Sequence, residues 1–299
     1  MISSINRRDF LKTGSAATAL LAMGATGLSA ADAPAKRKIE KAIMWSTVGV
    51  KGSVMEKMKL VKEAGFAGVE PMGAMDRGEV LEALKETGLK AASVCCHSHW
   101  AKPLSAPDEA TRKIGYDGLV LTLNDAKAYG ATSILLVPGV AKNGVTYDEC
   151  FARSVAEIKK AVPVAKDTGV KIAIENVWND FITTPKQVVE FLDAINSEWV
   201  GWHFDIGNVG RYSPAETWIP VIGKRILKLH IKEYNTKTME AKDRGFGSKF
   251  LEGTNDWPAI MRELDKIGYT GWGIAEQGGG GSPEGLKDLS DRMTKIFAL

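Results

Sequence analysis

The feature that most constrains this chain is a pattern repeated along it from residue 34: a short apolar run, an amphipathic stretch, then the next apolar run. The apolar runs are nearly continuous, which is typical of strands buried on both faces of a parallel sheet. Apolar residues in the amphipathic stretches are spaced by three and four, which is typical of helices. The predicted strands span residues 42–47, 68–72, 90–97, 133–138, 171–176, 200–205, 226–232 and 273–276.

Turn and capping residues mark the ends of the predicted helices. Thr184 followed by Pro185 is a favourable helix start, because Thr caps the free amides and Pro fits the first turn. Glycine after the last apolar position of a helix is a common stop signal. Such glycines are found at Gly65, Gly88, Gly130, Gly169 and Gly268.

Eight strand–helix units in roughly 260 residues match a (β/α)₈ barrel. We therefore predict an α/β fold with a single TIM-barrel domain over residues 34–299. An open doubly wound sheet is the alternative. A Rossmann-type dinucleotide site is disfavoured because no G-x-G-x-x-G follows the first strand, and the glycine run 278–281 follows the last.

The N-terminus resembles a twin-arginine export signal. Arg7 and Arg8 precede Phe10, Leu11 and Lys12, then a mildly apolar run, 13–31, and a small-residue site at 31–33. We predict that residues 1–33 are this signal, that cleavage follows position 33, and that the protein is periplasmic or otherwise exported by this route. The run is too short and mild for a spanning helix, so we expect no stable membrane insertion after cleavage; an uncleaved anchor is the alternative.

The charge argues against a nucleic-acid-binding protein, and the cysteine content argues against a small protein held together by disulfides. The net charge is +3, from 39 basic and 36 acidic residues, which gives no electrostatic case for binding nucleic acid. Three cysteines are too few for a disulfide framework.

Polar side chains collect where the predicted strands end. In a barrel these C-terminal ends surround the active site. Asn208 and Trp178 come just after two of these ends, and His99 follows a third. The polar residues at the strand ends are Glu70, His97, Glu175, His203, Asp205, His230, Lys232 and Glu276.

Three of these carboxylates predict a metal site. Glu175, Asp205 and Glu276, at equivalent depth in a barrel, would repel one another without a cation. His230 adds an imidazole from the strand between two of them. Three carboxylates and one imidazole suit one divalent ion, with Mn²⁺ as the first choice and Mg²⁺, Co²⁺ or Zn²⁺ as alternatives.

Five segments carry a family resemblance: 172–176, 203–208, 229–234, 251–257 and 271–276. They resemble the sugar phosphate isomerase/epimerase family, which belongs to the xylose isomerase-like TIM barrels and includes hydroxypyruvate isomerase and the ketose 3-epimerases. The resemblance covers about residues 38–298. It is specific for the barrel and its metal site and weak for the substrate.

The resemblance implies that Glu175, Asp205, His230 and Glu276 bind one divalent metal. It also implies that Glu175 and Glu276 stand on opposite faces of the substrate, where one removes a proton next to a carbonyl and the other delivers one. The metal would stabilise the enediolate. These implications do not choose between isomerisation, epimerisation and dehydration.

The remaining strand-end residues are predicted to contact substrate. Each has a structural alternative. The histidines could pack beside the predicted ligands, Glu70 and Lys232 could form an ion pair with each other, and the tryptophan could serve packing alone. The asparagine stands where ketose 3-epimerases commonly carry a histidine. The predicted substrate contacts are His203, His97, Glu70, Lys232, Asn208 and Trp178.

Together these expectations describe an exported, divalent-metal-dependent isomerase or epimerase that acts on a small sugar or keto-sugar. Phosphorylated sugars are scarce outside the cytoplasm, so an unphosphorylated substrate is expected. The alternatives are a 3-keto-glycoside lyase or hydrolase on the same metal site, and a sugar-binding barrel without catalysis. The oligomeric state is left open.

Overall fold

The computed structural model describes residues 37–299, which form one compact unit. The predicted export signal, 1–33, lies outside the described residues. Within 37–299, no helix combines the length and the apolar character that crossing a bilayer requires.

The centre of the fold is one sheet of parallel strands, in the spatial order β3-β2-β1-β9-β8-β7-β6-β5-β4. Apart from β3 and β4, which stand at the two ends of this order, chain neighbours are sheet neighbours and β1 pairs with β9, as in a TIM barrel. A doubly wound sheet instead reverses its strand order near the middle. The strands are β1 (Ile39–Met44), β2 (Gly68–Glu70), β3 (Lys90–Ala91), β4 (Val94–Cys95), β5 (Ser133–Leu136), β6 (Lys171–Glu175), β7 (Val200–Asp205), β8 (Ile226–Ile231) and β9 (Gly271–Ala275).

Strands β3 and β4 are two halves of one predicted strand, separated by Ala92 and Ser93. The second half closes the barrel, because Cys95 forms a parallel bridge with Met72. The Cys95 amide donates to the Pro71 carbonyl at 2.8 Å, which joins this half to the chain leaving β2. The eight predicted strand positions are thus confirmed, and the third is interrupted.

The helices surround the barrel and pack their apolar faces on it. Ser53 and Thr184 each cap a helix by accepting from the amide three residues later, and the predicted stop at Gly130 has left-handed backbone (φ 75°). The helices are α1 (Val54–Glu63), α2 (Arg77–Thr87), α3 (Glu109–Tyr129), α4 (Tyr147–Thr168), α5 (Pro185–Ile195), α6 (Ile206–Val209), α7 (Ile219–Ile222), α8 (Trp257–Lys266) and α9 (Pro283–Phe297).

Strand alternation separates the apolar core from the polar interior. In β7, Trp202 and Phe204 belong to the large apolar cluster between sheet and helices. Successive strand residues point to opposite faces, so His203 and Asp205 point into the barrel. The same period in β8 puts His230 on the interior face. Inside the barrel the apolar packing is small, a cluster of Ala42, Ala92 and Ile274.

Candidate metal centre and substrate cavity

Four side chains from consecutive strands meet at one end of the barrel. Glu175 ends β6, Asp205 ends β7, His230 lies near the end of β8, and Glu276 directly follows β9. One ligand atom from each lies within 4.8 Å of the others. The four predicted metal ligands are therefore brought together, as strand-end positions on neighbouring strands require.

The cluster holds more acceptors than it has protons to share. His230 Nδ1 lies 2.9 Å from Glu175 Oε1, 2.9 Å from Glu276 Oε2 and 3.7 Å from Asp205 Oδ2. One ring nitrogen donates a single proton, so His230 Nδ1 cannot satisfy all three carboxylates at once. A divalent cation with oxygen and imidazole ligands fits this donor set.

The pKa values of the ligands reflect burial and charge crowding. Burial raises the pKa of Glu175 to about 7, against the opposing effect of His230. Burial also lowers the pKa of His230, but Glu70, Glu276 and Glu175 outweigh it and hold that pKa well above the usual value. For Glu276, burial raises the pKa, but Lys232 and His230 outweigh it and keep the pKa well below the usual value.

Lys232 is the second cation of the cluster. Its Nζ lies 3.0 Å from Glu276 Oε2, 3.3 Å from Asp205 Oδ2 and 3.2 Å from Asn208 Oδ1. Asn208 is in turn held by its own amides, since its backbone N donates to Asp205 Oδ1 at 2.8 Å and its Nδ2 to the Asn176 carbonyl at 3.0 Å. The lysine, the asparagine and the predicted metal ligands therefore form one connected polar network.

Glu70 and His203 lie on the other side of the His230 ring. Glu70 Oε2 is 3.0 Å from His230 Nε2, and the His203 ring meets the His230 ring edge-on, with the centroids 4.2 Å apart. Glu70 and His203 are both fully buried, and neither lines the cavity. The structure thus places them in contact with His230, a predicted metal ligand, and outside the cavity lining.

The cavity in front of the cluster measures about 220 Å³. Three predicted substrate residues line it: Lys232, Asn208 and Trp178. Its full lining is Met44, Cys95, His99, Trp100, Leu135, Glu175, Val177, Trp178, Asn208, Lys232, Phe246 and Glu276.

His97 is not brought to this cavity. It is exposed and sits beside Gly73 and Gly118, whereas His99 is buried and lines the cavity. His99 Nδ1 accepts a hydrogen bond from the Val137 amide at 3.1 Å. Both histidines follow β4 in a turn, where the strand period that predicted a shared face no longer applies.

Phe246 also lines the cavity, although no sequence motif marked it; it lies in the long segment 235–256 between β8 and α8. The Phe246 ring packs 4.8 Å from Trp178 and 5.3 Å from Tyr234. Gln277 holds the segment in place, since its Nε2 donates to the carbonyls of Phe246 (3.1 Å) and Ser248 (2.9 Å). The sequence feature that could have indicated this segment is Gln277, which directly follows the predicted ligand Glu276. A buried side-chain amide beside a ligand is well placed to hold a neighbouring loop.

Known proteins resemble this chain over most of its length. A putative L-ribulose-5-phosphate 3-epimerase of Escherichia coli is 25% identical over 72% of this chain and 80% of its own. The structure of a 3-keto-D-glucoside 4-epimerase from E. coli superposes with a TM-score of 0.70 at 18% identity, covering 87% of this chain and 99% of that one. A D-psicose 3-epimerase of Clostridium cellulolyticum H10, solved with D-tagatose, gives 0.71 at 16% identity over 86% and 98%.

Two family models match. Residues 4–24 match the signal sequence of the twin-arginine translocation pathway, which confirms the predicted route of export. Residues 58–296 match the xylose isomerase-like TIM barrel. That match extends over most of the chain and agrees with the strand order and with the fold of the solved structures. The chain therefore belongs to the xylose isomerase-like TIM barrel family.

Proposed function

We propose that the protein is an exported, divalent-metal-dependent isomerase or epimerase of unphosphorylated sugars or keto-sugars. The observation that carries this proposal is the pair Glu175 and Glu276. Both carboxylates line the cavity, and each comes within 2.9 Å of the same nitrogen of His230. In the proposal Glu175, Asp205, His230 and Glu276 hold one ion, Mn²⁺ as the first choice.

The two glutamates supply the proton transfers. A divalent ion bound here supplies Lewis-acid stabilisation of negative charge on the sugar oxygens. Glu175 ends β6 and Glu276 follows β9, with β7 and β8 between them, so the two carboxylates approach a sugar in the cavity from different sides. One takes the proton from the carbon next to the carbonyl, and the other returns a proton.

The other cavity residues position the sugar and exclude water. Lys232 Nζ borders the cavity and donates to a sugar oxygen, while Asn208 holds the lysine in place. Trp178 and Phe246 form an apolar wall on which a sugar ring can pack. A dry wall strengthens the electrostatic interactions inside the site.

The relatives support this class of reaction and bear on the substrate. The curated relative is named for an epimerase of a sugar phosphate, and the two solved structures are of epimerases of a free sugar and of a 3-keto-glucoside. The export signal favours the unphosphorylated substrates, because phosphorylated sugars are scarce outside the cytoplasm. A 3-keto-glycoside is the second candidate, and the same metal and base permit elimination from it.

Deuterium exchange tests the reaction. Incubation in deuterated water with D-fructose, D-tagatose, L-ribulose and a methyl 3-keto-glucoside is expected to place deuterium next to the carbonyl of at least one sugar. Glu276→Gln is expected to abolish exchange while the protein still binds metal. Glu86→Gln, at an exposed position on α2, is the matched control and should exchange normally. Tight binding of a sugar without exchange would identify a binding protein instead.

Elemental analysis tests the metal site. Protein purified without added metal is expected to carry about one divalent ion per chain, as a single four-ligand site predicts. An Asp205→Ala, His230→Ala double variant should lose it. A protein that carries no divalent ion and binds none on addition would refute the site.

The export proposal includes maturation after position 33. N-terminal sequencing of protein from the periplasmic fraction should start at residue 34, and Arg7→Lys with Arg8→Lys should leave the protein in the cytoplasm. An N-terminus that still includes residues 1–33 would show that the signal is retained as an anchor.

A further inference from the structure

A second cavity adjoins the first at Trp178, a residue that lines both. This outer cavity measures about 400 Å³, and its charged lining residues are Arg211, Glu240 and Arg244. Two arginines against one glutamate leave the lining with a net positive charge. The inner cavity of about 220 Å³ is smaller than the roughly 300–1,000 Å³ typical of ligand sites, whereas the two cavities together fall within that range.

The arginines of the outer cavity are available to a ligand. The Arg211 guanidinium stacks on the Trp178 ring, 4.8 Å from its centroid. Stacking occupies the face of the guanidinium and leaves its N–H groups in the plane free to donate. Within residues 37–299, neither Arg211 nor Arg244 forms a salt bridge or a side-chain hydrogen bond, and both side chains are exposed.

Tyr234 provides the independent sign of a ligand. It is fully buried, and its hydroxyl has no hydrogen-bond partner among the described residues. Burial raises the pKa of the Tyr234 hydroxyl. Arg211 lowers this pKa and Glu240 raises it, so these two charged residues of the outer cavity interact electrostatically with the hydroxyl. A buried hydroxyl without a partner costs free energy that an incoming oxygen acceptor would recover.

The same elements build both cavities. Arg211 follows α6, which carries Asn208 to the inner cavity, and Arg244 lies in the segment 235–256, which carries Phe246 there. A substrate held at Glu175 and Glu276 can therefore extend past Trp178 to the two arginines.

We propose that Arg211, Arg244 and the Tyr234 hydroxyl form a subsite for the carboxylate of an acidic, unphosphorylated sugar, at the end of the sugar remote from the reacting carbons. The proposal rests on the proposed function, since it names the substrate class of that site. Guanidinium groups bind carboxylate and phosphate oxygens through paired charge-assisted hydrogen bonds, and a tyrosine hydroxyl adds a donor.

Calorimetry on the metal-loaded protein tests the subsite with three probes: D-glucuronate, D-glucose 6-phosphate and the neutral D-glucose. D-Glucuronate should bind about ten-fold or more tightly than D-glucose, as expected for charge-assisted hydrogen bonds. Arg211→Gln and Arg244→Gln should each lose most of that preference. Lys242→Gln, an exposed cation in the same segment but outside the lining, should keep it.

The binding results distinguish a carboxylate from a phosphate group, and several of them would refute the subsite. Preference for glucuronate supports a carboxylate substrate, whereas preference for the 6-phosphate would overturn both the carboxylate assignment and the unphosphorylated substrate proposed above. Equal binding of the three probes, no binding of any probe, or a preference that survives in the Arg211→Gln, Arg244→Gln double variant would overturn the proposal.

The binding measurement is independent of turnover. If the protein shows no deuterium exchange with any sugar but retains the arginine-dependent preference, the proposed reaction fails and the subsite stands. If exchange is observed and the acidic preference is absent, the subsite alone fails. Repeating the titrations with Glu276→Gln, which should bind sugars without turning them over, keeps the two results apart.

Discussion

His230 Nε2 lies 3.0 Å from Glu70 Oε2, and both side chains are fully buried. The Glu70 carboxylate accepts from Nε2 when that nitrogen carries a proton, and Nδ1 faces Glu175, Asp205 and Glu276. A carboxylate in this position fixes both the tautomer and the orientation of a metal-binding imidazole. Glu70 is therefore placed to act on the site through His230, while the substrate contact that its strand-end position predicts stays a prediction.

Replacing Glu70 should weaken metal binding without unfolding the protein. Glu70→Gln keeps the size and one acceptor oxygen but removes the charge that orients His230, so we expect metal affinity to fall about 10- to 100-fold. Calorimetric titration with Mn²⁺ measures this change. Glu86→Gln should bind Mn²⁺ like the wild type. An unchanged affinity for Mn²⁺ in Glu70→Gln would show that Glu70 serves only to fill space in the core.

Removing the charge of Lys232 should act on metal and substrate in opposite directions. Lys232 Nζ lies 3.0 Å from Glu276 and 3.3 Å from Asp205, so it competes with a cation for the same oxygens. In Lys232→Gln we expect Mn²⁺ to bind roughly five- to ten-fold more tightly, because about 1 kcal/mol or more of like-charge repulsion is relieved.

The same variant should lose kcat/KM, because the donor to a sugar oxygen is gone. The exposed Lys237, outside the cavity lining, provides the matched control Lys237→Gln, which should change neither quantity. Weaker metal binding in Lys232→Gln would contradict the competition between lysine and metal.

His99 should make the protein less stable in mild acid. Burial, with a smaller effect of His97, lowers the pKa of His99 to about 3 from 6.5. The unfolded chain therefore binds a proton below pH 6.5 that the folded protein does not, and this part of the stability is present above 6.5 and is lost as the pH falls toward 3.

Comparing wild type with His99→Gln tests this prediction, because glutamine can still accept from the Val137 amide. Between pH 7.5 and 5.0 the wild type should lose about 2 kcal/mol more unfolding free energy than the variant, as measured in urea. Equal losses in the two proteins would mean that His99 is not the group responsible.

Glu233 should support the wall of the cavity. Its buried carboxylate accepts hydrogen bonds from the Leu251 amide at 2.7 Å, the Trp257 indole at 2.8 Å and, more weakly, the Asn255 amide at 3.4 Å. Removing the shared acceptor in Glu233→Ala should cost about 3 kcal/mol or more and speed amide exchange in the segment 235–256. Glu86→Ala should stay within about 0.5 kcal/mol of wild type. An exchange rate that does not change in Glu233→Ala would show that the segment is held elsewhere.

Much of the barrel could be predicted from the sequence, because helix starts and helix ends are determined by residues close together in the chain. The Thr184 side chain accepts a hydrogen bond from the Gln187 amide in the first turn of α5, and Gly130 ends α3 with left-handed backbone. These choices depend on neighbouring residues. The break at Ala92 and Ser93 was not predicted, since it depends on how that strand meets β2 and β5 across the barrel.

The same distinction holds for the residues of the site: those within strands could be predicted from the sequence, and those beyond the strand ends could not. The period of two within β7 and β8 determines that Asp205 and His230 point inward, so both could be placed from the sequence. Beyond the strand ends that period stops. His97 and His99 share a predicted face, yet the turn after β4 leaves His97 exposed and His99 against Val137.

The sequence by itself determined the strand–helix alternation, the export signal and the residues able to gather at the barrel end, because each depends on composition and short-range periodicity. Only the tertiary structure decided which of these residues meet. Glu70 reaches His230 across 160 positions of chain, and Phe246 reaches the cavity because Gln277, 31 positions away, holds its carbonyl. Contacts of that range are set by the packing of the whole barrel, which no local pattern encodes.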